Sequence, residues 1–540
     1  PGHARAYGLG DVDEPLRILV QQEKQLRKEN LENLYDIESR LLPFLIYLRK
    51  RGTKVDLQKA DQMGHVLTQR RDAAIAKIAS MSGIAVDYEN FGTPSMMKRI
   101  FDKLNIAYPF LLSVEKGSPL KGSEKDGTIV LPGSPDYEAA TKGDVGEYIA
   151  KPSFRKVWLE ETLEHPIAAL IIEANSAEKA RGTFVEGYIG ENAIGDRIHC
   201  EFHPLRKVDD EDKKSKGTIT GRFSSANPNL QNIPTRDPFV GPMCRSMFLP
   251  DDDCDFFSAD YSQIEYRFLV HFAVINNCKG AEVPQQMYLK NPKTDFHDAC
   301  AMMMYKAKWE AAIARNLCGE ISEKEMKAIL KELRKPAKNL NFGMVYGMGV
   351  PLLAEKLGET DGNGKPTKRA LEIMDEYHGA APYIKALNEI CVKEAEEKQF
   401  ITTILNRRGR FPLWQERFKK KGHVYDKEAD KPRGYEEAVA TWGARNISVV
   451  GAHKALNKKL QGSAADMLKK AMVDIWESGV LDEGVHVQLT VHDELDGSLE
   501  RTTRARAALT EMTQIMEKAI PLSIPVKVSC ETGTSWADTH

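Results

Sequence analysis

The sequence predicts an α+β protein of several domains, and three features carry that prediction. The stretch Cys254–Arg267, CDFFSADYSQIEYR, turns a strand directly into a helix. Residues 485–499, VHVQLTVHDELDGSL, set Val485, Val487, Leu489 and Val491 in strict alternation and read as a hairpin. Long runs of helical spacing occupy most of the chain before and between these two stretches. At 540 residues the chain exceeds what a single core organises, so several domains are expected.

Within the first stretch, Asp255–Ala259 reads as a short buried strand because the Phe256–Phe257 pair favours a covered, pleated surface. The strand breaks at Asp260. Ser262 and Glu265 then form an S-x-x-E capping box, and Ile264, Phe268, Leu269 and Phe272 supply the apolar face of a helix. A carboxylate is thereby held at a strand-to-helix junction, a place where acids also serve simply as turn formers or caps. In the second stretch His492-Asp493-Glu494 interrupt the alternation, which puts acids at the hairpin turn. Two strand-end carboxylates brought together suit Mg²⁺, which takes one or two carboxylates plus substrate phosphates.

A third stretch, Arg334–Gly347 (RKPAKNLNFGMVYG), complements the acids. At 100° per residue Arg334, Lys338 and Phe342 fall within about 80° of one another on a helix. Pro336 is tolerated only near a first turn, which starts this helix close to Arg334. The face is either a solvated basic surface with Phe342 in the core, or a clamp of fixed cations for a triphosphate with a ring against the base.

Composition narrows the class. Hydrophobic residues make up 42% and charged residues 29%, which is ordinary for a globular protein. No apolar run approaches the roughly 18 residues that cross a bilayer, and no secretory signal is visible. The eight cysteines form no C-x-x-C pair, which suits a reduced compartment and gives no zinc site. A net charge of −2 is not that of a protein that coats nucleic acid, so any such surface is a local groove. The chain starts Pro1-Gly2-His3 and reads as trimmed or as carrying a cloning scar.

Taken together, DYSQIEYR, RKPAKNLNFGMVYG and VHDE resemble motifs A, B and C of the family A DNA polymerases, the bacterial polymerase I type, in the family's order. Thr220-Gly221-Arg222-Phe223-Ser224-Ser225 with Asn229-Leu230-Gln231-Asn232-Ile233-Pro234 resembles the family's TGR…SS…NLQNIP signature, and Asp295-Phe296-His297 and Gln461–Asp466 add further matches. The likeness runs from about Glu38 to the last residues. It implies a right-hand architecture, with an antiparallel palm sheet, helical fingers and a helical thumb.

In chain order, residues 14–50 carry helical spacing (Leu31, Leu34, Tyr35, Glu38, Leu41, Leu42) closed by Gly52, and Val55-Asp56 begins the next element. Residues 1–37 form a helical and acidic segment, too short for the 3′–5′ exonuclease domain of many relatives, so the chain is expected not to proofread. The resemblance then implies a thumb with the start of the palm over 38–190, a first palm part over 191–265, fingers over 266–446, and a second palm part over 447–540. The polar stretch at about 411–440, with Lys419-Lys420-Lys421, reads as an insertion into the fingers and by default as a solvated loop. From Arg445 to Ile475 a helix is expected to carry His453, Asn457 and Gln461 on one face. The run Ile524–Val528, then Gly533, Trp536 and Ala537, resembles the family's last strand.

Roles follow from the resemblance residue by residue. Asp260 and Asp493 hold two Mg²⁺ ions, with Mn²⁺ able to substitute; the Tyr261 backbone carbonyl completes a metal shell and Glu494 is a secondary ligand. Lys338 is catalytic, and together with Arg334 and His297 it neutralises the triphosphate. Gln263 joins the nucleotide site, Phe342 and Tyr346 close on the nascent pair, and Glu265 meets the ribose 2′ position. Arg222, Asn229, Gln231, Asn232 and Arg236, with Asn457, Gln461 and His492, face the DNA, where minor-groove acceptors look alike on every correct pair. His453 stands where many relatives have Arg, and Thr490 where many have Gln.

The implied activity is template-directed addition of deoxynucleotides to a primer 3′-hydroxyl. Its partners are primer–template DNA and deoxynucleoside triphosphates, with no membrane, a monomeric chain, and a processivity or replisome partner left open. DYSQIEYR and the fingers insertion incline the source toward a bacteriophage and the location toward a bacterial host cytoplasm. A single-subunit RNA polymerase shares the palm and is disfavoured by Glu265. A two-metal nuclease has no need of the Arg334, Lys338 and Phe342 face. A catalytically dead DNA-binding scaffold does not need every metal and triphosphate position filled.

Overall fold

A computed structural model describes residues 2–114, 127–161, 163–206, 217–235, 237, 239–345, 348–361, 365–418 and 429–539, with the side chains of 2–13, 161, 339, 342, 344 and 345 excepted. Its centre is a four-stranded antiparallel sheet in the order Val485–Val491, Glu494–Glu500, Cys254–Tyr261, Val528–Gly533. The strand expected at Asp255–Ala259 runs on through Asp260 to Tyr261, because both neighbours keep pairing there: Asp260 faces Glu494 on one side and Ser529 on the other.

Both faces of this sheet are covered. Successive side chains of a strand point to opposite faces, so Phe257, Ala259 and Tyr261 enter the large core formed with the helices Ile264–Ile275, Ala455–Ser478 and Thr503–Lys518. Phe256 enters a second core with Phe248 and Trp536. The hairpin departs from its expected alternation for a definite reason. A bulge at Gln488 inserts one unpaired residue between Val487 and Leu489, so Val485 and Val487 serve the first core while Leu489 and Val491 serve the second. Opposite the bulge, a Cβ on Gly497 would collide with the carbonyl oxygen of His486.

Around this centre the chain is mostly helical. The helices Leu57–Ser82, capped by Asp56 through Lys59 N (2.8 Å), and Pro166–Lys179 pack along each other and lead into a π-helical stretch, Ala180–Gly190. A small three-stranded sheet, with Phe110–Ser113 in its middle, caps that unit over its own core of Ile100, Phe101, Trp158 and Ile171. On the other side of the central sheet, helices from Ile264 to Lys398 extend the first core outward.

Four local readings are corrected. The amino-terminal run is three helices, Gly2–Glu29, Glu32–Arg40 and Leu42–Arg51, interrupted where Asn30 turns left-handed (φ 56°). The helix expected to start near Arg334 begins at Glu323 and passes through Pro336. A mid-helix proline costs about 3 kcal/mol, and burial of Ala337 and Leu340, with Leu330 and Leu333 packed alongside, outweighs it. The helix expected from Arg445 begins at Ala455, after the strand Ile447–Val449 and a 3₁₀ turn opened by Gly451, and His453 in that turn is exposed. The last strand is Val528–Gly533 rather than Ile524–Val528; Pro525 has no N–H to give a ladder, and Ile524 and Val526 are buried as irregular chain.

In the 411–440 stretch, Trp414–Glu416 pairs with Ile447–Val449 and Tyr435–Trp442 is helical. Lys419, Lys420 and Lys421 lie outside the described residues. No helix among the described residues is long and apolar enough to cross a membrane.

Candidate active site

The central sheet delivers the acids. Antiparallel pairing sets Asp260 opposite Glu494, and Tyr261 N donates to the Asp493 carbonyl across 3.4 Å, so the strand end and the hairpin turn share one rim. His492 makes the turn with a left-handed backbone (φ 55°), and buried Thr490 Oγ1 donates to the Glu494 carbonyl at 2.9 Å, closing it. The rim lines an open cleft of about 890 Å³, together with Gln231, Asn232, Tyr261, Gln263, Glu265, Tyr266 and His297.

Electrostatically the rim is strained by like charge. Asp260 opens to the cleft, yet the protein packed around it desolvates the carboxylate, and this first and the charge of Asp493 second push it up to about 7. Glu494 is raised by burial, then by Asp496 and Asp260, with Arg245 opposing. Arg222 answers part of that charge: its Nη2 lies 3.1 and 3.0 Å from the two Asp493 oxygens and 2.5 Å from Glu265 Oε1. Glu265 therefore does not act in the capping box read from the sequence. The first helical residue is Ile264, the preceding Gln263 is left-handed (φ 54°), and no side chain caps the helix.

A guanidinium seated against Asp493 shows that the rim accepts a cation, and oxygen donors are the ligands Mg²⁺ prefers. Among the described residues no group of three or more His, Cys, Asp or Glu side chains is arranged to hold a metal ion by itself. The acids present fit an ion that completes its shell from a substrate.

The loop carrying Arg222 rests on a buried ionic network. Gly221 adopts φ +89°, and a Cβ there would lie 2.7 Å from Arg407 Nε. Arg407 donates to Glu38 (2.5 Å) and to Asp466 (2.7 Å), and Lys469 Nζ donates to Glu38 (2.7 Å) and to the Pro204 carbonyl (2.9 Å). Asp466 and Lys469 are wholly buried, and the ammonium lies 5.3 Å from the Phe223 ring centre.

The helix face read as basic does not itself line the cleft; Arg334 connects to it through the turn that carries the lining residue His297. Arg334 is held by two carboxylates, 2.7 Å from Asp295 Oδ2 and 2.9 Å from Asp298 Oδ1. Burial alone would raise Asp295, but the Arg334 hydrogen bond, the Asp298 N–H and the Arg334 charge together outweigh it and hold that carboxyl low. Lys338, one turn on, is exposed. The side chain of Phe342 and all of Tyr346 lie outside the described residues, as does Arg236. Gln263 is committed internally: its Nε2 donates to Asp295 Oδ2 (2.8 Å) and its Oε1 accepts from Phe296 N (2.7 Å). His297 departs from the expected cation, since burial lowers it to about 4 and the ring is neutral.

Of the residues expected on DNA, Asn229 caps the turn Leu230–Asn232 through Gln231 N (3.1 Å), and Gln231 Nε2 reaches the Thr490 carbonyl (3.4 Å). Asn457 and Gln461 sit one turn apart on the helix Ala455–Ser478, half-buried, outside the lining of this cleft. Sequence reading missed Arg245, a buried guanidinium lining the cleft and stacked 4.3 Å over Trp536. A lone arginine in the apolar run from Phe239 to Phe248 was its signal. It also missed Asp496, wholly buried behind Glu494, and Lys156, which reaches the cleft from the helix Lys156–Glu161.

The family model for DNA polymerase family A matches residues 144–538, well over half of the chain. The chain belongs to DNA polymerase family A. Similar members include a DNA-directed DNA polymerase of Pseudomonas phage M6, 27% identical over 98% of this chain and 70% of the relative. DNA polymerase I of Geobacillus stearothermophilus is 28% identical over 99% of this chain and 48% of the relative. The chain thus spans about half the length of the bacterial DNA polymerase I relatives it matches. The POL domain of Pol1 from M. smegmatis, solved in complex with DNA primer-template and dNTP, superposes with a TM-score of 0.66 at 22% identity, over 96% of this chain and 73% of that one. The fold is accordingly the right-hand polymerase fold: the central sheet is the palm of this family A chain.

Proposed function

We propose that this chain adds deoxynucleotides to a primer 3′-hydroxyl under the direction of a DNA template, using two Mg²⁺ ions. The observation that carries the reading is the strand pairing that sets Asp260 against Asp493 and Glu494 at the rim of an open cleft, with His297 on its lining and Arg334 paired to Asp295 and Asp298 on either side of that histidine in sequence. Asp260, Asp493 and the Tyr261 carbonyl would hold the metals. When bound, the ions make the 3′-hydroxyl a better nucleophile and stabilise the leaving pyrophosphate. Lys338 supplies a fixed positive charge to the triphosphate, and Arg334, oriented by Asp295 and Asp298, lends a preorganised donor. Arg222 is held on Asp493 and Glu265, so its contact with Asp493 would have to open for that carboxylate to hold a metal. Asn229, Gln231, Asn232, Asn457, Gln461 and His492 serve primer–template DNA.

On this reading the thumb with the start of the palm covers 38–190, the palm 191–265 and 447–540, and the fingers 266–446. Primer extension with all four nucleotides, with and without Mg²⁺, is the test. Growth of the primer only with the metal is expected, and no growth overturns the reading. We extend it to proofreading: none of the residues assigned above serves 3′–5′ cleavage, and with this chain a mismatched labelled primer incubated without nucleotides should keep its length. Progressive shortening defeats that claim.

The single-subunit RNA polymerase reading is separated by Glu265, whose carboxylate lines the cleft while held by Arg222. Glu265→Ala should admit ribonucleotides by about tenfold to a hundredfold more than wild type, the scale for one steric and polar contact. An unchanged ribo-to-deoxy ratio in competition would remove Glu265 from sugar selection.

A further inference from the structure

His297 begins the helix Phe296–Met304, capped by Asp295 through His297 N (2.7 Å) and Asp298 N (3.0 Å). Its ring is 4% exposed yet lines the cleft, with the Tyr266 ring edge-on at 5.0 Å. Behind it stand two wholly buried polar side chains. Tyr377 Oη donates to Asn341 Oδ1 at 2.8 Å, and Asn341 Nδ2 lies 3.0 Å from His297 Nδ1.

The direction of these bonds can be worked out from the buried end. A phenolic O–H sealed from water must give its proton to an acceptor, and Asn341 Oδ1 receives it. That fixes the amide, because its oxygen is engaged by Tyr377 and its nitrogen then faces His297. An amide nitrogen only donates, so Nδ1 must be the bare acceptor and the ring proton must sit on Nε2. The buried Cys300 thiol, also hydrogen-bonded to the Asn341 side chain, packs on the same group.

Around the ring, burial and the cations Arg334 and Lys338 favour an uncharged imidazole, and they outweigh the opposing charge of Asp295. Asp295 and Asp298 on its own helix are both paired with Arg334, while Arg334 and Lys338 face it from the fingers helix as cations. Tyr266 and Tyr377 approach from two further helices as neutral phenols. The ring also stands in the first turn of its helix, where the dipole opposes positive charge.

We infer that Tyr377 and Asn341 form a buried relay that fixes His297 as the neutral tautomer with its proton on Nε2, so that the cleft is offered a hydrogen-bond donor rather than a positive charge. Tyr377 and Asn341 are positioning residues, and the inference rests on the proposed function only in naming a triphosphate oxygen as the acceptor. Fidelity of placement benefits. A neutral donor rewards an oxygen in one position, whereas a cation attracts phosphate from any direction and adds to the charge already supplied by Arg334 and Lys338.

The direct test is the ¹⁵N spectrum of the full chain labelled at histidine, with His297→Gln used to identify the signal. At neutral pH wild type should show His297 with a bare Nδ1 and a protonated Nε2. A ring protonated on Nδ1, or on both nitrogens, overturns the inference whether or not the chain extends primers. Asn341→Asp replaces the donor by an acceptor and should move the proton to Nδ1. With Nε2 then bare toward the phosphate, KM for the incoming nucleotide should rise about tenfold at pH 8 and recover toward pH 6 as the ring becomes imidazolium, with kcat little changed. Wild type should show no such dependence. A KM that stays flat with pH in Asn341→Asp also defeats the inference. Should Asn341→Asp fail to fold, Tyr377→Phe serves in its place: loss of the phenolic donor should let the amide turn and give a mixture of both His297 tautomers. A single unchanged tautomer there shows that the relay does not set the proton.

Discussion

Alanine at either Asp260 or Asp493 is expected to lower primer extension at least a thousandfold, about 4 kcal/mol of transition-state stabilisation, while primer–template affinity stays within a few-fold. The two carboxylates meet at a strand end and a hairpin turn, and neither is placed to serve as a packing group: Asp260 is open to the cleft, and Asp493 already holds a cation, Arg222. Single-turnover extension paired with a fluorescence binding titration separates chemistry from binding. Retention of a tenth of wild-type rate, a loss of only about 1.4 kcal/mol, would show that the acids are not the metal-holding pair.

The same carboxyl makes a stability prediction of opposite sign. In the folded chain Asp260 titrates at about 7, against an ordinary 3.8. As pH rises through that window the unfolded chain releases the proton while the folded chain still binds it, so stability falls with rising pH. Without Mg²⁺ at pH 8, Asp260→Asn should therefore unfold at a higher temperature than wild type although it is inactive, and Mg²⁺ should stabilise wild type more than the variant. An Asp260→Asn chain that melts below wild type would contradict the electrostatic picture of the rim.

Arg407→Ala is expected to be the most destabilising single substitution among these, by about 3–5 kcal/mol, because it leaves Glu38 and Asp466 buried with one cation, Lys469, between them. Burial and Arg407 together already lower Lys469 to about 8, with Glu38 pulling the other way. Removing the guanidinium thus raises the ammonium while leaving two carboxylates to one cation, helped at Asp466 only by the Thr403 hydroxyl and the Leu405 N–H. The network also underlies Gly221 and Phe223, which flank Arg222, so extension by the folded fraction should fall as well. Urea unfolding midpoints of Arg407→Ala and Arg407→Lys, read beside extension rates at low denaturant, make the comparison. A midpoint for Arg407→Ala indistinguishable from wild type would mean that water reaches the network and screens it.

What the sequence determined by itself was local or patterned. The strand that turns into a helix at Asp260, the hairpin with acids at its turn, and the basic face at Arg334 and Lys338 all lie within stretches of about fifteen residues, and period-2 and period-3.6 spacing reports such stretches directly. Family membership was equally legible, because it rests on motif spelling. The tertiary structure decided which group answers which. Arg222 and Asp493 are 271 positions apart, and Lys469 and Glu38 are 431 apart; no window of spacing contains such a pair. Long-range pairing also overruled local preference. Arg222 took Glu265 away from a capping box, and ladder contacts on both sides carried the strand past Asp260. Core packing drew the helix from Glu323 through Pro336, and one extra residue at Gln488 turned the second half of the hairpin to the opposite face. Each reversal has the same physical origin: a propensity is worth a few tenths to a few kcal/mol, and burial or an ion pair made by distant chain exceeds it.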